Sequence, residues 1–129
     1  TLPPPAEATA PPPGLDPAAQ REWFAITLTP AQMHDALMDI ARRLNRLIDR
    51  QRDALGITEQ DIAIMGFSQG GAVAIYTACT RARQIACVVG HSTVIMDTAD
   101  FTAKPPALVI YGLADKSFTE RDYQTRTVP

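Results

Sequence analysis

Between Asp61 and Thr80 the sequence reads DIAIMGFSQGGAVAIYTACT, and few folds can house it. An apolar run, Ile62 to Met65, drives into Gly66-Phe67-Ser68-Gln69-Gly70 and continues as an Ala-rich, helix-compatible segment. The spacing predicts a strand, a sharp turn and a helix, with Ser68 at the tip of the turn. Gly66 and Gly70 are the positions where strand and helix backbones must pass closely, and Ser68 is expected in a strained conformation. Its hydroxyl then stands at the mouth of a sheet, above the positive end of the following helix.

A Gly-x-Ser-x-Gly match arises by chance in roughly 4% of chains of this length, so its context has to carry the argument. Here an apolar strand precedes it and a helix follows, as a nucleophile elbow requires. In such an elbow the backbone N–H of Gln69 points to where the oxyanion of a tetrahedral intermediate forms. The competing reading is an ordinary serine in a Gly-rich turn.

Gly66-Phe67-Ser68-Gln69-Gly70-Gly71-Ala72 resembles the elbow of the phospholipase/carboxylesterase family, which includes the acyl-protein thioesterases. Arg21-Glu22-Trp23-Phe24 resembles the family's Trp-Phe step, upstream of its long helix. Tyr111-Gly112-Leu113-Ala114-Asp115 resembles the segment that carries its catalytic aspartate, usually His-Gly-x-x-Asp. The resemblance runs from about Ala10 to Thr119. It implies an α/β-hydrolase fold, partial here, with a mostly parallel sheet flanked by helices. It also implies a domain cut off at both ends, because family members are considerably longer than these 129 residues.

The expected organisation is a Pro-rich extended or disordered segment over 1–17, followed by the partial hydrolase domain over 18–129. Trp23, Phe24 and Ile26 form an apolar patch expected to pack near the site as core or pocket wall, with Trp23 counted among the pocket residues. Thr29-Pro30-Ala31-Gln32 predicts a helix start with a capping box. Met33, Leu37, Ile40, Leu44 and Leu47 then form one apolar stripe, in a helix that ends at Gly56 and covers a sheet face. Arg42, Arg43, Arg46, Arg50 and Arg52 interleave with Asp39, Asp49 and Asp53, which reads as a solvated, ion-paired face. His34 is expected to face solvent. A loop over 57–60, a helix from Gln69 to Arg83 and a buried strand from Ile85 to Gly90 come next. That strand is continuous rather than alternating, as in a parallel sheet covered on both faces. Thr93 to Pro106 reads as a polar loop and Leu108 to Tyr111 as a third strand, while a helix start is expected after Thr119.

A net charge of -2 without a one-signed stripe argues against nucleic acid and anionic membranes as partners. No apolar run is long enough for stable membrane insertion. The first residues lack the basic and apolar regions of a signal peptide, and the start at Thr1 leaves room for a native N-terminus upstream. Cys79 and Cys87 fall in a predicted helix and strand, fitting buried small hydrophobes of a reduced, cytoplasmic protein better than a disulfide or metal site.

Serine hydrolysis needs a nucleophile, a base, an acid that orients the base, and oxyanion donors. Ser68 and Gln69 supply the first and one of the last. The resemblance assigns the orienting carboxylate to Asp115, for which a plain turn aspartate is the alternative. Phe67 and His91 join Trp23 as expected pocket residues. His91 also stays open as a base, but the family order is Ser, Asp, His, and no histidine follows Asp115. The family's second oxyanion donor, on a Gly-rich loop, would precede Thr1. The resemblance implies small acyl esters, lysophospholipids or acyl thioesters as substrates, cleaved through an acyl-enzyme without metal or organic cofactor. The other class of function is a catalytically inactive hydrolase fragment that binds or assembles through open sheet edges, homo-oligomers included.

Overall fold

The computed structural model describes residues 6–7, 21–116 and 122. A two-residue antiparallel ladder joins β1 (Ala6–Glu7) to β2 (Arg21–Glu22). Helix α1 (Pro30–Leu55) begins on the expected box. Thr29 Oγ1 accepts from the Gln32 N–H at 3.3 Å, and Gln32 Oε1 accepts from the Thr29 N–H at 3.0 Å. It ends at Gly56, whose φ of 65° allows its N–H to close the last turn. The chain then makes a 3-10 turn (Glu59–Asp61), where a loop was expected, because Asp61 accepts from the Thr58 N–H at 2.9 Å.

Strand β3 (Ala63–Phe67), helix α2 (Gln69–Cys79), strand β4 (Cys87–His91) and strand β5 (Ala107–Ile110) complete the described elements. The three strands form a parallel sheet with β4 in the centre. The predicted strands stand one or two residues away from the observed ones. Helix α2 stops at Cys79 rather than Arg83. Arg81 turns inward there, donating to Asn45 Oδ1 at 2.9 Å and Asp49 Oδ1 at 2.8 Å on α1.

The layering departs from the expected one. Helix α1 packs on α2 instead of on the sheet, so α2 is a middle layer, buried from Gly71 to Cys79. Ala74, Ile75, Ala78 and Cys79 of α2 meet Ile85 and Val88 on the sheet side. Val73 and Tyr76 meet Phe24, Leu37 and Ala41 on the other. Both helices therefore lie on one face of the sheet. The opposite face, with Met65 at 77% exposure, Phe67 at 66% and Leu108 at 56%, has no cover among the described residues. Of the apolar patch, Phe24 is buried as core, but Ile26 is 80% exposed among the described residues.

The arginine face is only partly solvated. Arg52 pairs with Asp53 and Glu59, and the nearly buried Arg81 joins Asp49 and Glu59. Hydrogen bonding from Arg52 holds the Glu59 carboxyl below its ordinary range against the opposing effect of burial. Cys79 and Cys87 are free thiols, and burial pushes the Cys79 thiol up. No helix among the described residues is long and apolar enough to cross a membrane. The boundary expected at residue 17 and the helix start after Thr119 lie outside the described residues.

Candidate active site

Three parallel strands end at one edge of the sheet, and each delivers a residue singled out in the sequence. Strand β3 runs into Ser68, β4 ends on His91, and the turn after β5 carries Asp115, whose N–H donates to the Gly112 carbonyl at 3.0 Å. This is the edge where open α/β sheets bind ligands.

Ser68 adopts φ 52° and ψ −124°, a region that L-residues occupy at a cost of about 1–3 kcal/mol. Its surroundings enforce that conformation. The Ser68 N–H donates to the His91 carbonyl at 2.8 Å, and the Ser68 carbonyl accepts from Gly71 N–H at 2.9 Å. A Cβ on Gly66 would stand 2.1 Å from the Gly70 carbonyl oxygen, so only glycine permits this strand-to-helix crossing. Ser68 is the N-cap of α2, yet its side chain makes no capping bond, which leaves the hydroxyl for other chemistry. It sits on the axis of an 11-residue helix, at the end that favours negative charge.

Gln69 does more than the sequence indicated. Its Oε1 accepts from the Trp23 N–H and its Nε2 donates to the Phe24 carbonyl, both at 2.6 Å. Trp23 lies against the first turn of α2, with its indole nitrogen 3.3 Å from where a Cβ on Gly70 would stand. On the uncovered face the Phe67 ring stacks on His91, with centroids 5.2 Å apart. Trp23, Phe67 and His91 thus border the turn at Ser68, though His91 makes no hydrogen bond to Ser68 through its ring. Ser92, directly after β4, also has a positive φ of 49°, so two neighbouring strands end in strained serines. Among the described residues, no cluster of three or more His, Cys, Asp or Glu is placed to hold a metal ion.

His34, expected to face solvent, is only partly exposed and is engaged by carboxylates. It joins α1 to the segment 93–106, its Nδ1 donating to Asp97 Oδ2 at 2.5 Å and its Nε2 lying 3.4 Å from Asp100 Oδ2. The Tyr76 hydroxyl donates to the same Asp100 oxygen at 2.9 Å. The bond to Asp97 raises the His34 pKa above its ordinary value, outweighing partial burial. Neither this cluster nor the Arg81 network announces itself in the sequence. Their partners stand 63 and 32 residues apart, beyond the reach of any local spacing rule.

The model of the phospholipase/carboxylesterase family matches residues 6–119. Among solved structures, esterase PE8 superposes with a TM-score of 0.71 at 22% identity, over 82% of this chain and 53% of that one. A point variant of SOBER1 from Arabidopsis thaliana gives 0.69 at 21% identity, over 82% of this chain and 56% of that one. The chain therefore spans about half the length of the solved structures it matches, and at these identities the likeness speaks for the fold.

Proposed function

Since the chain belongs to the phospholipase/carboxylesterase family, we propose that it is a serine hydrolase whose nucleophile is Ser68. In this reading Ser68 attacks the carbonyl of a carboxylic ester or acyl thioester, an acyl-enzyme forms, and water releases the acid. The Gln69 N–H and the N-terminal dipole of α2 stabilise the oxyanion, and Asp115 orients a histidine base. Small acyl esters, lysophospholipids and acyl thioesters are the substrate classes, and the mechanism asks for no metal or organic cofactor. The observation that carries the reading is the enforced positive φ of Ser68 between a parallel strand and a helix N-terminus. The free thiols Cys79 and Cys87 support a cytoplasmic setting.

The base is a separate matter. No histidine follows Asp115 in this sequence, and His91 is stacked on Phe67. We assign the base to a histidine outside this sequence, in cis or on a partner. Turnover by this chain alone is then expected to fall short of a complete triad by several powers of ten.

A second reading rests on the uncovered sheet face. Parallel sheets are ordinarily covered on both sides, and among the described residues Met65, Phe67 and Leu108 have no cover on one face, which suits that face to assembly with another element or chain.

Intact-mass analysis after a fluorophosphonate separates the two, run beside Ser68→Ala and with a nitrophenyl ester assay. Slow labelling that Ser68→Ala abolishes, with little turnover, is the expected result. Equal labelling of both proteins would sink the nucleophile assignment. Fast labelling with turnover would place the base within this chain, and His91 would be mutated next.

A further inference from the structure

Strand pairing of the segment before α1 stops at Glu22, which leaves the Trp23 N–H and the Phe24 carbonyl to find partners elsewhere. Half-buried backbone groups are rarely left unpaired. Here both are met by one side chain, the carboxamide of Gln69, from 46 and 45 residues further along. A primary amide is suited to this because it offers an acceptor and a donor side by side, as a neighbouring strand would. The two partners also fix its orientation, since oxygen must face the N–H and nitrogen the carbonyl. Asparagine, a methylene shorter, could not reach both. Gln69 is also the residue whose own backbone N–H stands at the elbow, one bond from Ser68.

We propose that the Gln69 side chain is a positioning residue of the site, clamping Trp23 against the first turn of α2 and fixing the direction of the Gln69 backbone N–H. This rests on the serine-hydrolase reading above and deepens it: the wall residue and the oxyanion donor are set by the same two bonds. Gly70 belongs to the arrangement, because the Trp23 indole occupies the space beside its Cα. With the clamp released, the Trp23–Phe24 backbone and the turn at Gln69 can move independently. A misdirected donor slows attack at Ser68 on the order of 10- to 100-fold.

Gln69→Glu tests this, because a protonated carboxyl reproduces the amide's donor and acceptor while a carboxylate cannot donate to the Phe24 carbonyl. Trp23 is the sole tryptophan, so its emission reports on the clamp directly. Above the carboxyl's pKa, the variant is expected to show red-shifted emission and slowed fluorophosphonate labelling of Ser68. Both should return toward wild type as pH falls, read as variant-to-wild-type ratios at each pH. An emission and a labelling ratio that stay at wild-type values across pH would overturn the clamp. Emission that titrates while the labelling ratio stays at one would reduce it to an architectural bridge and overturn the positioning role. A wild type that is never labelled at Ser68 defeats the hydrolase reading and the positioning role with it, and the emission titration still reports whether the bridge exists. Should Gln69→Glu not fold above that range, Gln69→Met keeps the length and loses both bonds. Red-shifted emission and slowed labelling at every pH are then expected, and wild-type values in a folded Gln69→Met overturn the proposal.

Discussion

Ser68 holds its conformation because the backbones on either side leave it no other. Gly66 is the position that tests this, since a methyl there would collide with the Gly70 carbonyl at 2.1 Å and with Gly71 N at 2.7 Å. Both contacts are backbone, and neither can swing aside. Gly66→Ala is expected to cost about 3 kcal/mol or more in urea unfolding. Gly112→Ala, with no described residue within 4 Å of the added methyl, should stay within about 0.5 kcal/mol of wild type. Comparable losses at both positions would mean that the crossing is looser than the geometry indicates. At this scale the strand, the strained turn at Ser68 and the helix were legible because everything they need lies within five consecutive residues. The amide of Gln69 was not, for its partners Trp23 and Phe24 come from another part of the chain, and a glutamine after a serine has no pattern that announces them. His34 was misjudged for the same reason: a polar residue in the first turn of an amphipathic helix reads as solvated until Asp97 is brought to it.

Elements are joined here by charge as well as by apolar contact, and the tie between α1 and the segment 93–106 depends on pH. His34 faces Asp97, Asp100 and Asp35, and Tyr76 shares Asp100 with it. The Asp97 hydrogen bond raises the folded pKa of His34, so its contribution is full below the unfolded value near 6.5 and is lost as pH rises through the raised one. Asp97 runs the other way. Burial pushes its carboxyl up, but the Ala99 N–H and His34 together leave it below the ordinary value, so its contribution is lost only as pH falls through that lowered pKa. The tie is strongest between the two. Thermal midpoints of wild type and His34→Gln should therefore differ most at mildly acidic pH and converge above the raised His34 pKa. A constant gap across that range would count against an ionic tie. Helix α1 itself was readable almost to the residue, because Thr29, Pro30, Gln32 and Gly56 are local signals of start and stop. The end of α2 was not: Thr80 to Arg83 are compatible with helix, and what stops it is Arg81 reaching Asn45 and Asp49 on another element.

At the scale of the whole, the described residues stack two helices, one upon the other, on one side of the sheet and leave its other side without cover. Periodicity alone could not tell this, since a continuous apolar strand such as Cys87 to Gly90 reads as covered on both faces wherever its helices lie. The exposed face carries Met65, Phe67 and Leu108, and we expect it to drive self-association at micromolar concentration. Sedimentation velocity on wild type and Leu108→Lys checks this, with the charge expected to shift the protein toward monomer. A wild type that is monomeric throughout would defeat the expectation. The middle layer carries a different consequence. Helix α2 has no solvent side from Gly71 to Cys79, so sequence drift has no neutral positions there to use. Helix α1, half of it turned to water, can change freely on its outer surface. Two helices of one chain are thus set to diverge at different rates, and the slower one begins at Ser68.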